Sequence, residues 1–316
     1  MANIAAKNEH YKPKKIKKTT EDIVINTIVY ILCAIVFIAC VYPFYYCIII
    51  SFNEGNDASL GGIFWWPRKP TLENYKEVFK NEQLVPAFGV TIARTLVGTV
   101  LHVLFTGIIA YSLAHKELVF RNFYFNVLII AMYVGGGTIP TFLMYKFLGL
   151  YDTFLVYVIP GMFGIWNCIL MMNFFREIPA SLEESARIDG ANDITIFFRI
   201  IIPVSMPIIA TIALFSGVGH WNDWYATAFY TKSRGLQTAA SQLKEIIARS
   251  NLTAITANTS ANIESAQRAA ETAAQNFTAE TLRMATMVVT VFPITVIYPF
   301  LQKYFVKGIM IGSIKG

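Results

Sequence analysis

The notable ionisable side chains inside the long apolar runs of this 316-residue chain are Arg94 and His102 between residues 84 and 114, and Lys146 between residues 122 and 148. At membrane depth such groups point first to a pathway, a proton relay or a counter-ion. Arg94 lies about ten residues into its run and Lys146 near the end of another, so both have the reach to snorkel to an interface. His102 is central, and a neutral imidazole bonded to a neighbouring helix is the simplest reading of it. No Asp or Glu is central in any run, which argues against proton- or sodium-coupled work. Catalytic chemistry has no visible carrier. There is no G-x-x-x-x-G-K-[ST] nucleotide loop, no H-E-x-x-H metal helix and no G-x-S-x-G elbow. Energy for any active process must therefore come from another chain. Gly135-Gly136-Gly137, followed by Ile139-Pro140, reads as a close-packed break in an apolar span, not as a phosphate cradle.

The elements that position these groups follow from composition. Hydrophobic residues make up 55% of the chain and charged residues 15%, with mean hydropathy +0.50. A soluble domain carries about a quarter charged residues, so both a soluble globule and a disordered chain are excluded. Cys33, Cys40, Cys47 and Cys168 all lie in apolar runs without a CxxC, which excludes a disulfide framework or metal cluster. The net charge of +6 fits juxtamembrane anchoring and not nucleic acid.

Six spans of roughly 20 or more apolar residues are expected, at Ile23–Ile50, Leu84–Ala114, Asn122–Leu148, Thr153–Phe175, Ile200–Gly219 and Met284–Val306. The fold class is all-α and polytopic. The first run is too long for a signal peptide and lacks a small-residue cleavage site. Pro140, Pro160, Pro203, Pro207, Pro293 and Pro299 lie within spans, where packed neighbours tolerate them and bends are natural. With the amino terminus inside, inner segments hold fourteen Lys and Arg against ten in the longer outer loops, so both ends are placed in the cytoplasm. Residues 1–22 form a basic cytoplasmic tail, 23–306 the membrane domain and 307–316 a cytoplasmic carboxyl-terminal tail. The outer loop 220–283 is much longer than a connector requires. Its Ala-rich part, Thr253 to Glu280, reads as solvated helix.

Between the fourth and fifth spans, residues 176–203 form a polar inner segment. Pro179 precedes a helix start, and Ser181 with Glu184 has the spacing of a capping box. Glu183 and Arg187 are spaced as an i,i+4 pair. Gly190 suits a left-handed helix end, and Asn192 or Asp193 can cap the next helix. Leu182, Ser185, Ala186 and Asp189 share a mostly small face that a partner groove could seat, although an ordinary capped loop has the same pattern.

Glu184-Ser185-Ala186, Asp189-Gly190-Ala191, Phe197, Ile200 and Pro203 resemble the EAA loop of ABC importer permeases, with Ser185 in place of the first Ala. Gly135 to Pro140, Gly149-Leu150-Tyr151-Asp152-Thr153, Pro160-Gly161, Asn173-Phe174-Phe175 and Trp221-Asn222-Asp223-Trp224 are similar to MalG-like permeases of carbohydrate importers. The resemblance covers nearly all of residues 23–316. It implies the type I importer permease architecture, a second permease subunit, two cytoplasmic ATPase subunits that carry ATP and Mg, and an extracytoplasmic solute-binding protein. The chain itself would bind no cofactor. The same resemblance implies that Ser181, Glu184, Ser185, Ala186, Asp189, Gly190 and Ala191 couple to an ATPase, with Glu184 pairing a basic residue there. It also implies that a tail with Ile309, Met310, Ile311 and Ile314 reaches between the ATPases.

An oligosaccharide needs aromatic platforms for its CH faces and amides or hydroxyls for its edges. Tyr133, Trp166, Asn167 and Asn173 within spans, and Trp221, Asn222 and Trp224 at the outer mouth, are the candidates, with helix packing the bland alternative for each. The resemblance implies that the partner permease holds most sugar contacts and that the 220–283 loop meets the binding protein. Two rivals stand beside this reading. An ion-driven secondary transporter calls for inverted repeats and a charged midplane site. A membrane-embedded glycan or lipid enzyme calls for a cluster of acids, His or metal ligands.

Overall fold

The computed structural model of the protein describes residues 19–248 and 277–313. Their regular structure is helical apart from one isolated bridge between Asn53 and Pro70. The chain divides after Cys47. Helix α1, Thr20–Ser51, supplies the described part of the first unit, and its side chains from Ile23 to Ile38 are exposed on every side. A helix apolar all round belongs in lipid or among other helices. The proposed tail at 1–22 lies outside the described residues up to position 18.

In the second unit the chain leaves α1 through a clamped loop. Asn74 Nδ2 donates to the carbonyls of Ser51 and Asn53, at 2.9 and 2.8 Å. Asp57 accepts from Asn53 Nδ2 at 3.0 Å and from Arg68 Nε at 3.1 Å. Short helices α2 (Gly55–Ser59) and α3 (Glu73–Lys80) complete this loop.

Helix α4, Leu84–Ala114, is the axis of the bundle. Its buried stripe includes Ala87, Thr91, Arg94, Gly98, His102, Thr106, Gly107 and Ala110, spaced by three or four along one face. The stripe is small and polar while Ile92, Leu96, Val100 and Phe105 are exposed. That inversion is what lipid demands: apolar side chains gain nothing by turning inward, and small residues allow close backbone approach. Gly98 shows the need directly, because a Cβ there would lie 2.5 Å from His220 Nε2.

The third to fifth expected spans are each broken. Helices α5 (Arg121–Tyr133) and α6 (Thr138–Phe147) turn by 117° across residues 134–137. Gly137 has φ 75°, a conformation that favours glycine. This corrects the reading of the glycine run as close-packed, since nothing approaches within 4 Å of a Cβ built at Gly135 or Gly137. Helix α7 (Leu155–Val158) and a 3₁₀ turn, Ile159–Gly161, bend by 46° into α8, Ile165–Arg176. After the short α9 (Ala180–Ile188), the segment of α10 (Asp193–Ile196), a π turn (Phe197–Ile201) and α11 (Ile202–Val204) meets α12 (Met206–Asn222) at 86°. The expected fifth span, Ile200–Gly219, therefore contains this break. Pro203 and Pro207 flank the break at Ser205 and remove two backbone donors from the helix ladder.

Helices α8 and α12 flank α4, and α12 packs in turn on the last helix. Beyond α12 the chain folds back through α13 (Tyr225–Tyr230), a 3₁₀ turn at Arg234–Leu236 and α14, a helix over 239–248. The expected solvated helix at Thr253–Glu280 lies mostly outside the described residues. Helix α15, Ala279–Ser313, starts earlier than the expected sixth span and runs through Pro293 and Pro299.

Candidate functional site

Two polar regions sit at opposite ends of α4. The first, at the carboxyl-terminal end, is the α9 turn. Its helix begins at Ala180 with Pro179 as N-cap, and no side chain caps it. The expected Ser181–Glu184 capping box is not formed, because Ser181 is already inside the first turn. The expected Glu183–Arg187 pair is also absent. Arg187 bonds Asp193 at 3.0 Å, while Glu183 Oε2 turns inward to Tyr111 OH at 3.3 Å and His115 Nε2 at 3.5 Å. The exit forms as expected. Gly190 has φ 84°, Ala191 N donates to Ala186 O at 2.9 Å, and Asn192 Oδ1 caps α10 by accepting from Thr195 N at 2.8 Å.

The small face is divided. Ala186 is buried in the core formed by Tyr111, Met171, Phe175, Ile196, Phe197 and Ile201. Ser181, Glu184, Ser185, Asp189 and Gly190 are exposed, with Leu182 and Ile188 beside them. Ala191 is half-buried. An anchored turn thus presents two carboxylates, Glu184 and Asp189, with small and apolar neighbours.

The second region is a cavity of about 440 Å³ walled by α4, α6, α7, α12 and α13. Arg94, only 1% exposed, donates from Nη2 to Asp223 Oδ2 at 2.6 Å and from Nη1 to the Asp223 carbonyl at 3.0 Å. Its guanidinium carbon lies 4.3 Å from the centre of the Tyr157 ring. Arg94 therefore does not snorkel; an ion pair holds it inside. The other Asp223 oxygen accepts from the backbone N–H groups of Tyr225 and Ala226, which starts α13. His102 behaves as expected for a neutral imidazole. Its Nδ1 is 2.6 Å from the carbonyl of Gly161, which can only accept, so Nε2 accepts from Asn167 Nδ2 at 2.8 Å.

Tyr145, Tyr157, Tyr225 and Tyr230 line this cavity, together with His220. Of the expected sugar-facing residues, Asn167 reaches the cavity edge through His102. Tyr133, Trp166 and Asn173 are exposed on the outside of the bundle. Trp221 does not stand at an outer mouth. It is buried and donates from Nε1 to Thr290 O at 3.0 Å, joining α12 to α15. Asn222 is exposed, and Trp224 is half-buried beneath the Lys244 ammonium. Sequence reasoning missed the tyrosines and His220. The signal available was the dense Tyr and Phe content of 142–157 and 224–230, which span hydropathy treats as apolar filler.

Ile309, Met310 and Ile311 lie on α15, and Ile314 lies outside the described residues.

A family model for the binding-protein-dependent transport system inner membrane component matches residues 103–311. The chain belongs to this family. The matched region holds the α9 turn, α8, α12 and α13. The permease is 37% identical to Protein LplC of Bacillus subtilis (strain 168), over 86% of its own length and 88% of that protein. It is 33% identical to the polygalacturonan/rhamnogalacturonan transport system permease protein YtcP of the same organism, over 79% of its length and 84% of the relative. Its fold matches a chain of the crystal structure of a bacterial ABC transporter involved in the import of the acidic polysaccharide alginate. The TM-score is 0.81 at 27% identity, covering 91% of the permease and 99% of that chain. The permease is thus a membrane-embedded importer subunit of all-α architecture and not an ion-driven secondary transporter.

Proposed function

We propose that the permease forms half of an oligosaccharide channel in a bacterial cytoplasmic membrane, with both termini inside. A second permease supplies the other half, and a solute-binding protein delivers the sugar from outside. ATP and Mg are held by two separate ATPase subunits, one of which grips the exposed Ser181, Glu184, Ser185, Asp189 and Gly190 while Ile309, Met310, Ile311 and Ile314 reach between them. YtcP belongs to a polygalacturonan/rhamnogalacturonan transport system and the structural relative imports the acidic polysaccharide alginate, which supports a sugar cargo.

The observation that carries this reading is the exposed Glu184 on a turn whose other side, through Ala186, is locked into the core. A push on such a turn moves helices instead of bending a loop. At the other end of α4, the tyrosine-lined cavity offers rings and hydroxyls of the kind a sugar uses. Arg94 and Asp223 satisfy each other there and leave its wall without net charge.

The test is Glu184→Lys in the intact complex. Co-purification of the ATPase should fall while the permease still inserts. A buried carboxylate pair lost in this way costs about 2–5 kcal/mol. Unchanged ATPase recovery together with unchanged sugar uptake refutes the docking role.

A further inference from the structure

Glu183 and Glu184 are adjacent carboxylates with opposite surroundings. Glu184 is exposed, whereas Glu183 points into the bundle, its Oε2 between Tyr111 OH and His115 Nε2. Both partners belong to the carboxyl-terminal end of α4. Tyr111 is buried, with its ring centre 5.3 Å from Phe197, 6.3 Å from Phe175 and 4.5 Å from the His115 ring. His115 Nε2 is buried and makes no hydrogen bond in this arrangement, and Glu183 is the carboxylate nearest to it. The same helix carries Arg94, whose ion pair with Asp223 fixes the cavity, seventeen residues or about 26 Å away along the axis.

We propose that Glu183 is a positioning residue that ties the coupling turn to α4, so that motion of α9 reaches the Arg94–Asp223 end of the cavity. The proposal rests on the docking role of the α9 turn and adds how the movement leaves that turn. Ala186 fixes α9 by apolar packing, which carries no direction. A carboxylate held between a hydroxyl and an imidazole resists sliding along the helix axis. The two neighbouring glutamates then divide the work: one faces the motor, the other faces the helix that must move.

The complete importer, with its ATPases and binding protein, is reconstituted in vesicles, and sugar uptake is measured per ATP hydrolysed. Glu183→Ala should leave ATPase subunits bound and basal hydrolysis intact, yet lower that ratio about fivefold or more, the scale of a modest coupling energy. Tyr111→Phe should shift it in the same direction, and the double variant should be no worse than Glu183→Ala alone, because the two groups act as one contact. Glu184→Ala serves as the separate control for docking: retained ATPase in that variant defeats the docking reading itself. An unchanged ratio in Glu183→Ala overturns the proposal, as does loss of ATPase equal to that in Glu184→Ala. If Glu183→Ala does not insert, Tyr111→Phe decides, since it removes one oxygen and keeps the ring in the core; an unchanged ratio there overturns the proposal.

Discussion

Arg94 and Asp223 lie 129 residues apart in the chain and meet in a 2.6 Å ion pair between α4 and the end of α12. The arginine side chain is 2% exposed and the aspartate 31%. Removing either partner leaves the other charge stranded, at a cost of about 3–5 kcal/mol for a buried pair. Asp223→Ala should therefore lower the thermal midpoint of the detergent-purified permease sharply. The paired change Arg94→Met with Asp223→Leu should lower it less than Arg94→Met alone. Equal losses would show that the pair contributes through something other than charge compensation.

Gly98 and Gly135 differ in what surrounds them, and alanine separates the two. A Cβ on Gly98 meets the His220 ring at 2.5 Å, so Gly98→Ala must displace the imidazole from the cavity wall. Overpacking of this kind costs about 1–3 kcal/mol, more than the gain of up to about 1 kcal/mol in helix propensity. Gly135 has open space around its Cβ position and no left-handed backbone, so Gly135→Ala should be nearly neutral. Thermal unfolding of the two variants side by side is the measurement.

The exit of the coupling turn depends on two local devices. Gly190→Ala places a Cβ at φ 84° and should cost about 1–2 kcal/mol. Asn192→Ala removes the cap on Thr195 N and should cost about 1 kcal/mol. Hydrogen exchange over residues 186–196 should rise in both variants, with little change in α12.

Asp152 links the loop after α6 to the segment after α13. Its carboxylate accepts from Ser233 Oγ and from the backbone N–H groups of Ser233 and Lys232, all within 2.8 Å. The Ser233 side-chain bond first, then the two backbone bonds, hold its pKa below the ordinary carboxylate value. A depressed folded pKa gives stability that is present above the unfolded value, about 3.9, and lost as pH falls through the folded one. Proteolytic cutting at residues 231–238 should thus increase below about pH 4. Asn tolerates the left-handed backbone of Asp152, φ 57°, so Asp152→Asn tests the charge alone and should flatten this pH response.

Much of the architecture was legible along the chain. The helix of the second span, Leu84–Ala114, matches its hydrophobic run residue for residue, because a membrane helix needs only length and apolarity. Gly190 and Asn192 took their expected conformations, since caps are decided within a few residues. The capping box at Ser181 had the right spacing, but with Pro179 as N-cap the helix begins two residues too early for it. Glu183 had Arg187 at the right distance in sequence, yet Tyr111 and His115, from a helix about 70 residues earlier, offered a partly buried alternative.

The sequence by itself determined a helical membrane protein, the places of its spans, and a capped polar turn on one side, because hydropathy, proline and glycine act locally. Only the tertiary structure decided that Arg94 is neutralised by Asp223, that Trp221 braces α12 against α15, and that three spans break at 46°, 86° and 117°. Those outcomes depend on which side chain across the bundle is near enough to satisfy a charge, a donor or a freed carbonyl. Where water is excluded, that distance governs the energy.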